Sequence, residues 1–435
     1  MEVSQRNHDE VGLDSEARVI NMRACWCGNT ALVAFSPAYS ECRACGTLIS
    51  QCGLSDAELL VEDDESDFYG KQYWLNYQNQ NFGFPDIYKR ARGDLTERNL
   101  YWLKALLKYS LPPQRIMELG CAHGSFVALM QHAGFKAHGV EMSPWVVAFA
   151  KKLFNVPVDV GPVESLEISK ESQDVIVLMD VMEHLPDPLA TMRHCLDLLK
   201  PEGFLLVQTP QFREGVRYDE LVECQSTFLD QLKSHEHLYL FSDRSVVELF
   251  RRLGAHHLCF EPAIFAHYDM FFVVSKAPLA CNSQEQIARS LQASPSGRMV
   301  QAMLDLSALE ESHRAGVQRL AQAEADINFL KEQISIAEAD RAARLAVIQR
   351  QGDELSQIPK LQADIDYLLA ELGISEMGRS SALKVVFNQG REIFGLVKVE
   401  AEKQLLEERS AQLEADLAKL RSHWWSKLGK KIKLL

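Results

Sequence analysis

The stretch MELGCAHGSF, residues 117–126, decides the reading of the chain. The apolar run Arg115–Leu119 carries one acidic residue near its end, Glu118, and passes straight into Gly120, Gly124 and Ser125. A short apolar run closed by glycine reads as a buried strand. Ser125–Ala133 then reads as a helix and Lys136–Glu141 as the next strand. Gly120 permits a tight turn and a close approach of backbone to a ligand. The helix that follows points its N-terminus at that ligand. A single turn of this kind is also ordinary fold chemistry, so the neighbouring elements carry the decision.

Outward from that turn the alternation continues. Ser143 caps a helix with Pro144 at its first position, running to about Phe154. Val156–Val160 is a short strand and DVIVLM, Asp174–Met179, a buried one. Asp187 caps a helix with Pro188 first, ending near Lys200. Phe204–Thr209 is a strand, Phe241–Leu253 a helix, and His257–Glu261 with Met270–Ser275 an antiparallel hairpin. The pattern predicts a Rossmann-like, doubly wound α/β sheet, mainly parallel. Ligands in such sheets sit beyond the carboxyl ends of the strands, where Glu118, Gly120, Glu141 and Asp180 all fall. Glu141 is placed to accept both hydroxyls of a ribose, and Met142 to lie on a purine. A dinucleotide site would need G-x-G-x-x-G; this chain has Gly120, Ala122 and Ser125 there.

With 435 residues, two to three domains are expected. A formal charge of −14 disfavours nucleic acid and anionic membrane as general partners. No apolar run approaches the roughly 18 residues of a membrane span. The start, MEVSQRNHDEVGLDSEARV, lacks the apolar core of a secretory signal, so a cytoplasmic location is expected. The expected organisation is a polar tail (1–20), a cysteine segment (21–60), an aromatic and helical cap with one amphipathic helix over Asp86–Tyr109 (61–110), the α/β domain (111–277), a coiled coil (297–373), a linker (374–396) and a final helix with a basic tail (397–435).

Five of the ten cysteines precede residue 53. CWCGNT and ECRACG supply Cys25, Cys27, Cys42 and Cys45 as two short-spaced pairs, each followed by glycine, and Cys52 is spare. That suits a structural tetrahedral zinc ion with four thiolates and no open position; the alternative is buried free thiols.

ELGCAHG, GVEMS, DVIVLMDVMEHLPDP and LLKPEGFLLVQTP, in this order, resemble the class I S-adenosylmethionine-dependent methyltransferases over about residues 67–276. The resemblance implies that Glu118 and Gly120 lie near the methionine moiety, that Cys121 and Gly124 also bind the cofactor, that Glu141 holds the ribose, that Met142 packs on adenine, and that Asp180 and His184 line the cofactor cleft. The family's middle glycine is Ala122 here. Its adenine-binding acid falls at Pro162, leaving Glu164 as the stand-in. The ribbon-like cysteines together with DFYGKQYW are similar to sugar methyltransferases of surface-polysaccharide synthesis, which makes Tyr73 a cofactor contact. KSHEHLYLFS, residues 233–242, resembles the H-E-H segment of the sugar C-methyltransferases. It implies His237 as base and Glu236 as its orienting or substrate-binding partner; the alternative is a helix-entry motif packed on the sheet. A quinone, another small molecule or a protein are the other acceptors considered, and an inactive scaffold the other role.

Val317, Leu320, Ala323, Ile327, Leu330 and Ile334, then Ile358, Leu361, Ile365, Leu368 and Leu372, step by three and four as heptads do. They predict a homo-oligomer through coiled coils, or a hairpin folded on its own chain. SHWWSKLGKKIKLL is basic and amphipathic, which suits peripheral attachment at the inner membrane face or docking to a glycan-assembly partner.

Overall fold

The computed structural model describes residues 23–372 and 379–432; the polar tail 1–20 and residues 433–435 lie outside the described residues. In chain order the strands are β1 (Val33–Ala34), β2 (Tyr39–Cys42), β3 (Thr47–Ser50), β4 (Arg115–Leu119), β5 (Lys136–Glu141), β6 (Val158–Val160), β7 (Gln173–Met179), β8 (Leu199–Pro210), β9 (Tyr239–Leu240), β10 (His257–Glu261) and β11 (Asp269–Ser275).

Seven of them form one sheet in the order β10-β11-β8-β7-β4-β5-β6. The pairs from β6 through β8 are parallel. β11 is antiparallel to β8, and β10 to β11 with His257 opposite Ser275. The winding reverses between β4 and β7, which opens the crevice that α/β sheets use for ligands. Alternation along the central strands feeds two cores. Ile176, Leu178, Leu205 and Val207 face one layer, while Val175, Val177, Phe204 and Leu206 face the other. Burying each such side chain contributes about 1.5–3 kcal/mol.

The helix caps follow the sequence. The Ser143 side chain accepts from the Val146 amide, and Asp187 from Ala190. β6 starts only at Val158 because Pro157 has no N–H to give the ladder. The expected single helix over Asp86–Tyr109 is two, Ile87–Asp94 and Leu100–Tyr109, joined by a wider π turn over Leu95–Asn99.

The cysteine segment is not a free knuckle. β1, β2, β3 and β9 make a four-stranded antiparallel sheet. β9 is the strand directly after the H-E-H segment, with Leu48 opposite Leu240. Cys25, Cys42 and Cys45 are buried in the same core as β7 and β8.

Residues 313–435 form a second unit. The helix Pro295–Leu355 runs into it, followed by Ile358–Leu372 and Arg379–Ile432. Within it Arg341 lies 3.6 Å from Glu414, and Leu355 and Ile358 share a cleft with Val397 and Ala401. The last helix therefore runs antiparallel along its own chain. The stretch 374–396 departs from the expected linker, being helical from Arg379. It lacks proline, and Gly390 and Gly395 cost a helix only about 1 kcal/mol each. Val317, Leu320 and Leu330 of the heptad set remain exposed. The side chains of the basic tail lie outside the described residues. Among the described residues no helix is long and apolar enough to cross a membrane.

Candidate functional site

The turn after β4 takes the conformation its glycines allow, with φ of 68° at Gly120 and 76° at Gly124. A Cβ on Gly120 would stand 2.6 Å from Val181 Cγ2, and one on Gly124 2.9 Å from Val156 Cγ2. Ala122 also has positive φ, 46°. The chain thus places alanine in a glycine conformation, at a cost of about 1–2 kcal/mol. Cys121 is buried beneath the turn, so it offers the rim its backbone.

Glu141 ends β5 inside this loop. One carboxylate oxygen accepts from the Ala122 amide at 3.0 Å, the other from Met142 at 2.8 Å and Ser143 at 3.3 Å. Burial pushes its carboxyl up, against those three amides. Met142 beside it is half-buried. Glu118 is buried with Oε2 lacking any partner; burial, then the Glu141 charge, pushes its carboxyl well up. A buried carboxylate oxygen without a donor costs about 1–3 kcal/mol or more, and a ligand's ammonium group would remove that cost. Asp180 follows the end of β7 at φ 58°. The Gln208 amide donates to it at 2.9 Å, and Arg98 stands 3.7 Å away. Gln208 is fixed in turn by Trp102 Nε1 at 2.9 Å. Glu164 is exposed in the turn after β6, and its carboxylate accepts from the Thr191 hydroxyl.

The H-E-H segment meets the rim from β9. His237 Nδ1 lies 2.8 Å from the Gln231 carbonyl, and His184 Nδ1 2.8 Å from the Glu236 carbonyl. Carbonyls only accept, so the His237 Nδ1 carries the proton and its Nε2 a lone pair; the His184 Nδ1 also lies 3.0 Å from the Tyr69 hydroxyl. The two rings pack edge to face at 4.9 Å. Burial, then Lys233, lowers His184 to about 3; burial, then His184 and Lys233, lowers His237 well below its ordinary value. Glu236 is buried, raised by burial, with Oε1 unpartnered and Oε2 accepting from Tyr73 at 2.6 Å. The phenol of Tyr73, expected against the cofactor, is thus spent on Glu236. Phe68, Tyr69, Tyr73 and Tyr77 cluster over this point, mostly edge to face, with ring centroids 4.9–5.7 Å apart. The Lys233 ammonium sits over Phe82 at 4.4 Å and Phe84 at 4.9 Å.

Two acids at the rim escaped the sequence reading. Glu183 is fully buried, and burial with the Asp180 charge raises it to about 8. Asp269 opens β11, and burial with Asp180 and Glu183 raises it to about 9. Glu183 stood beside His184 in the quoted motif; Asp269 begins an antiparallel strand, where the rule about strand carboxyl ends does not look.

The sulfur atoms of Cys25, Cys27, Cys42 and Cys45 all lie within 4.8 Å of one another, with Cys25 3.4 Å from Cys45 and Cys27 3.6 Å from Cys42. A disulfide needs about 2.05 Å, while zinc–sulfur bonds of about 2.3 Å set tetrahedral sulfurs roughly 3.8 Å apart. The donor set fits that ion.

Fold and rim together have the arrangement of a class I methyltransferase α/β domain. Residues 91–258 match the family model described as a methyltransferase domain, and the chain carries a domain of the S-adenosylmethionine-dependent methyltransferases. It is 32% identical over 108 residues to a ubiquinone biosynthesis O-methyltransferase of Xanthomonas campestris pv. campestris, covering 23% of this chain and 45% of that protein. The protein of the same name from Bordetella avium is 29% identical over 116 residues, 25% of this chain and 48% of that one. The chain thus spans about half the length of the curated relatives it matches. Among solved structures, an S-adenosylmethionine-dependent methyltransferase from Thermotoga maritima is 20% identical with a TM-score of 0.34, covering 44% of this chain and 96% of that one. A TehB-like one from Corynebacterium glutamicum is 17% identical with a TM-score of 0.30, covering 41% and 87%.

Proposed function

We propose that the chain methylates a sugar, as a nucleotide sugar or a surface-glycan intermediate, at a hydroxyl or an acidic carbon. S-adenosylmethionine, when bound, supplies an electrophilic methyl group. Glu118 and the amides of the Gly120–Gly124 turn would hold its methionine end, and Glu141 its ribose. The single observation that carries the acceptor side is the His237 tautomer: Nδ1–H is held by the Gln231 carbonyl at 2.8 Å, so Nε2 can take the acceptor's proton. Glu236 presents its free oxygen Oε1 beside it. Alignment of acceptor and methyl donor by these walls lowers the barrier by several kcal/mol, up to about 7–11. The sugar reading draws its support from the H-E-H segment lying next to a four-cysteine ribbon, which suits structural zinc. A phenolic, quinone-like acceptor is the second reading, favoured by the name of the relatives above. The exposed heptad positions support self-association.

The test is incubation of the full chain with labelled S-adenosylmethionine and a panel of nucleotide sugars, glycolipid extracts and phenolic quinone precursors, with His237→Ala alongside. Label in a sugar, lost in the variant, is the expected result. Label in a phenol alone overturns the sugar acceptor; full activity in the variant overturns the base.

A further inference from the structure

The acceptor side holds more lone pairs than proton transfer requires. His184 and His237 sit on different segments, yet each imidazole places its Nδ1 on a backbone carbonyl at 2.8 Å. The Nε2 of His237 is left with a lone pair. His184 Nε2 stands 3.8 Å from Glu183 Oε1. That oxygen is buried and has no hydrogen-bond partner, while Oε2 is fixed by the Thr209 hydroxyl at 2.9 Å. One ligand atom from each of Glu183, His184 and His237 lies within 4.8 Å of the other two. Three features of a prepared cation site coincide: two imidazoles on separate segments brought together, a buried carboxyl oxygen without a partner, and backbone carbonyls that hold both rings in place. A packing role would explain burial of the three side chains. It would not explain why a fully buried carboxyl group keeps an oxygen without a hydrogen-bond partner 3.8 Å from an imidazole nitrogen.

We infer that Glu183, His184 and His237 form a second metal site, separate from the four cysteines, for a divalent first-row cation of the zinc type. Two imidazoles and one carboxylate are a donor set that such ions accept while keeping positions open for water or substrate. Bonds of about 2.0–2.2 Å require the three ligand atoms, now within 4.8 Å of one another, to close further around the ion. The inference deepens the function proposed above and rests on its acceptor cleft. A hydroxyl bound at an open position becomes more acidic, so its proton leaves to solvent and the electron pair stays on the oxygen that takes the methyl group. In this form of the reaction the cation takes over the part given above to the His237 lone pair, and His237 acts as its ligand.

The test counts metal without turnover. The full chain is stripped with a chelator, dialysed against zinc, and its zinc measured by plasma emission for the wild type, Glu183→Gln and His184→Gln. Calorimetry with S-adenosylmethionine shows that Glu183→Gln keeps its cofactor cleft, and circular dichroism shows that His184→Gln keeps the wild-type fold. The expected result is one zinc fewer per chain in each variant than in the wild type. Because the readout is a difference, it does not depend on the cysteine site. Equal zinc in all three proteins overturns the inference. Should they also methylate the same acceptor, the proposed function stands while the cation site falls. Two variants on different side chains guard against one that fails to fold.

Discussion

The Tyr39 hydroxyl donates to the backbone carbonyl of His237 at 2.9 Å, across 198 positions of sequence. With it, the Ser50 hydroxyl donates to the Ser234 carbonyl at 2.6 Å, and the Ser50 amide to Leu238 at 3.0 Å. The cysteine ribbon is thus the wall against which the H-E-H segment is held. Tyr39→Phe should destabilise the chain by about 1 kcal/mol, because a buried hydrogen bond is lost. It should lower kcat while leaving the calorimetric affinity for S-adenosylmethionine unchanged. A matching loss of cofactor affinity would contradict a role confined to the acceptor side.

The same wall makes metal removal informative. Cys42→Ser should lower the zinc content of the chain by one ion and loosen β3 against β9. Hydrogen exchange should then rise in residues 39–50 and 234–240 while the β4 and β7 amides stay protected. Protection unchanged in both segments would show that the cysteines do not hold the wall.

The Ala122 turn yields a stability prediction of opposite sign to most substitutions. Ala122→Gly removes a side chain from φ 46°, and should raise stability by roughly 1 kcal/mol, read by urea denaturation. Gly120→Ala meets Val181 at 2.6 Å, so it should lose stability and weaken cofactor binding together.

His123 supplies a pH signature. It is buried in the same turn beside Asp94 at 3.1 Å. Burial, with the charges of Arg90 and Arg98, depresses its pKa despite the Asp94 hydrogen bond. A histidine neutral in the fold and ordinary when unfolded stabilises above the unfolded value of about 6.5; that contribution is lost as pH falls below it. His123→Gln should flatten the stability profile on the acid side of about pH 6.5. An unchanged slope would contradict the assignment.

Much of this was legible because single residues state their conformational demands. Ser143 followed by Pro144, Asp187 followed by Pro188, and acids at the ends of β4, β5 and β7 place the rim by local rules. Other parts depend on contacts that leave no local trace. β9 is two residues long and joins the ribbon through β3, so the tie between Cys42 and His237 has no period to read. Glu183 adjoins His184 in sequence, yet only packing against Thr209 and His237 reveals its free oxygen. Arg379–Ile432 contains glycines that punctuate a sequence and that a long helix absorbs.

Titration of S-adenosylmethionine into the full chain by calorimetry, wild type against Glu141→Ala, probes the rim itself. One molecule should bind per wild-type chain, and the variant should bind about 10–100-fold more weakly, as expected when hydrogen bonds to a charged group are lost. No heat in the wild type, or equal affinity in both proteins, would contradict a nucleoside sulfonium compound held at the carboxyl ends of β4 and β5.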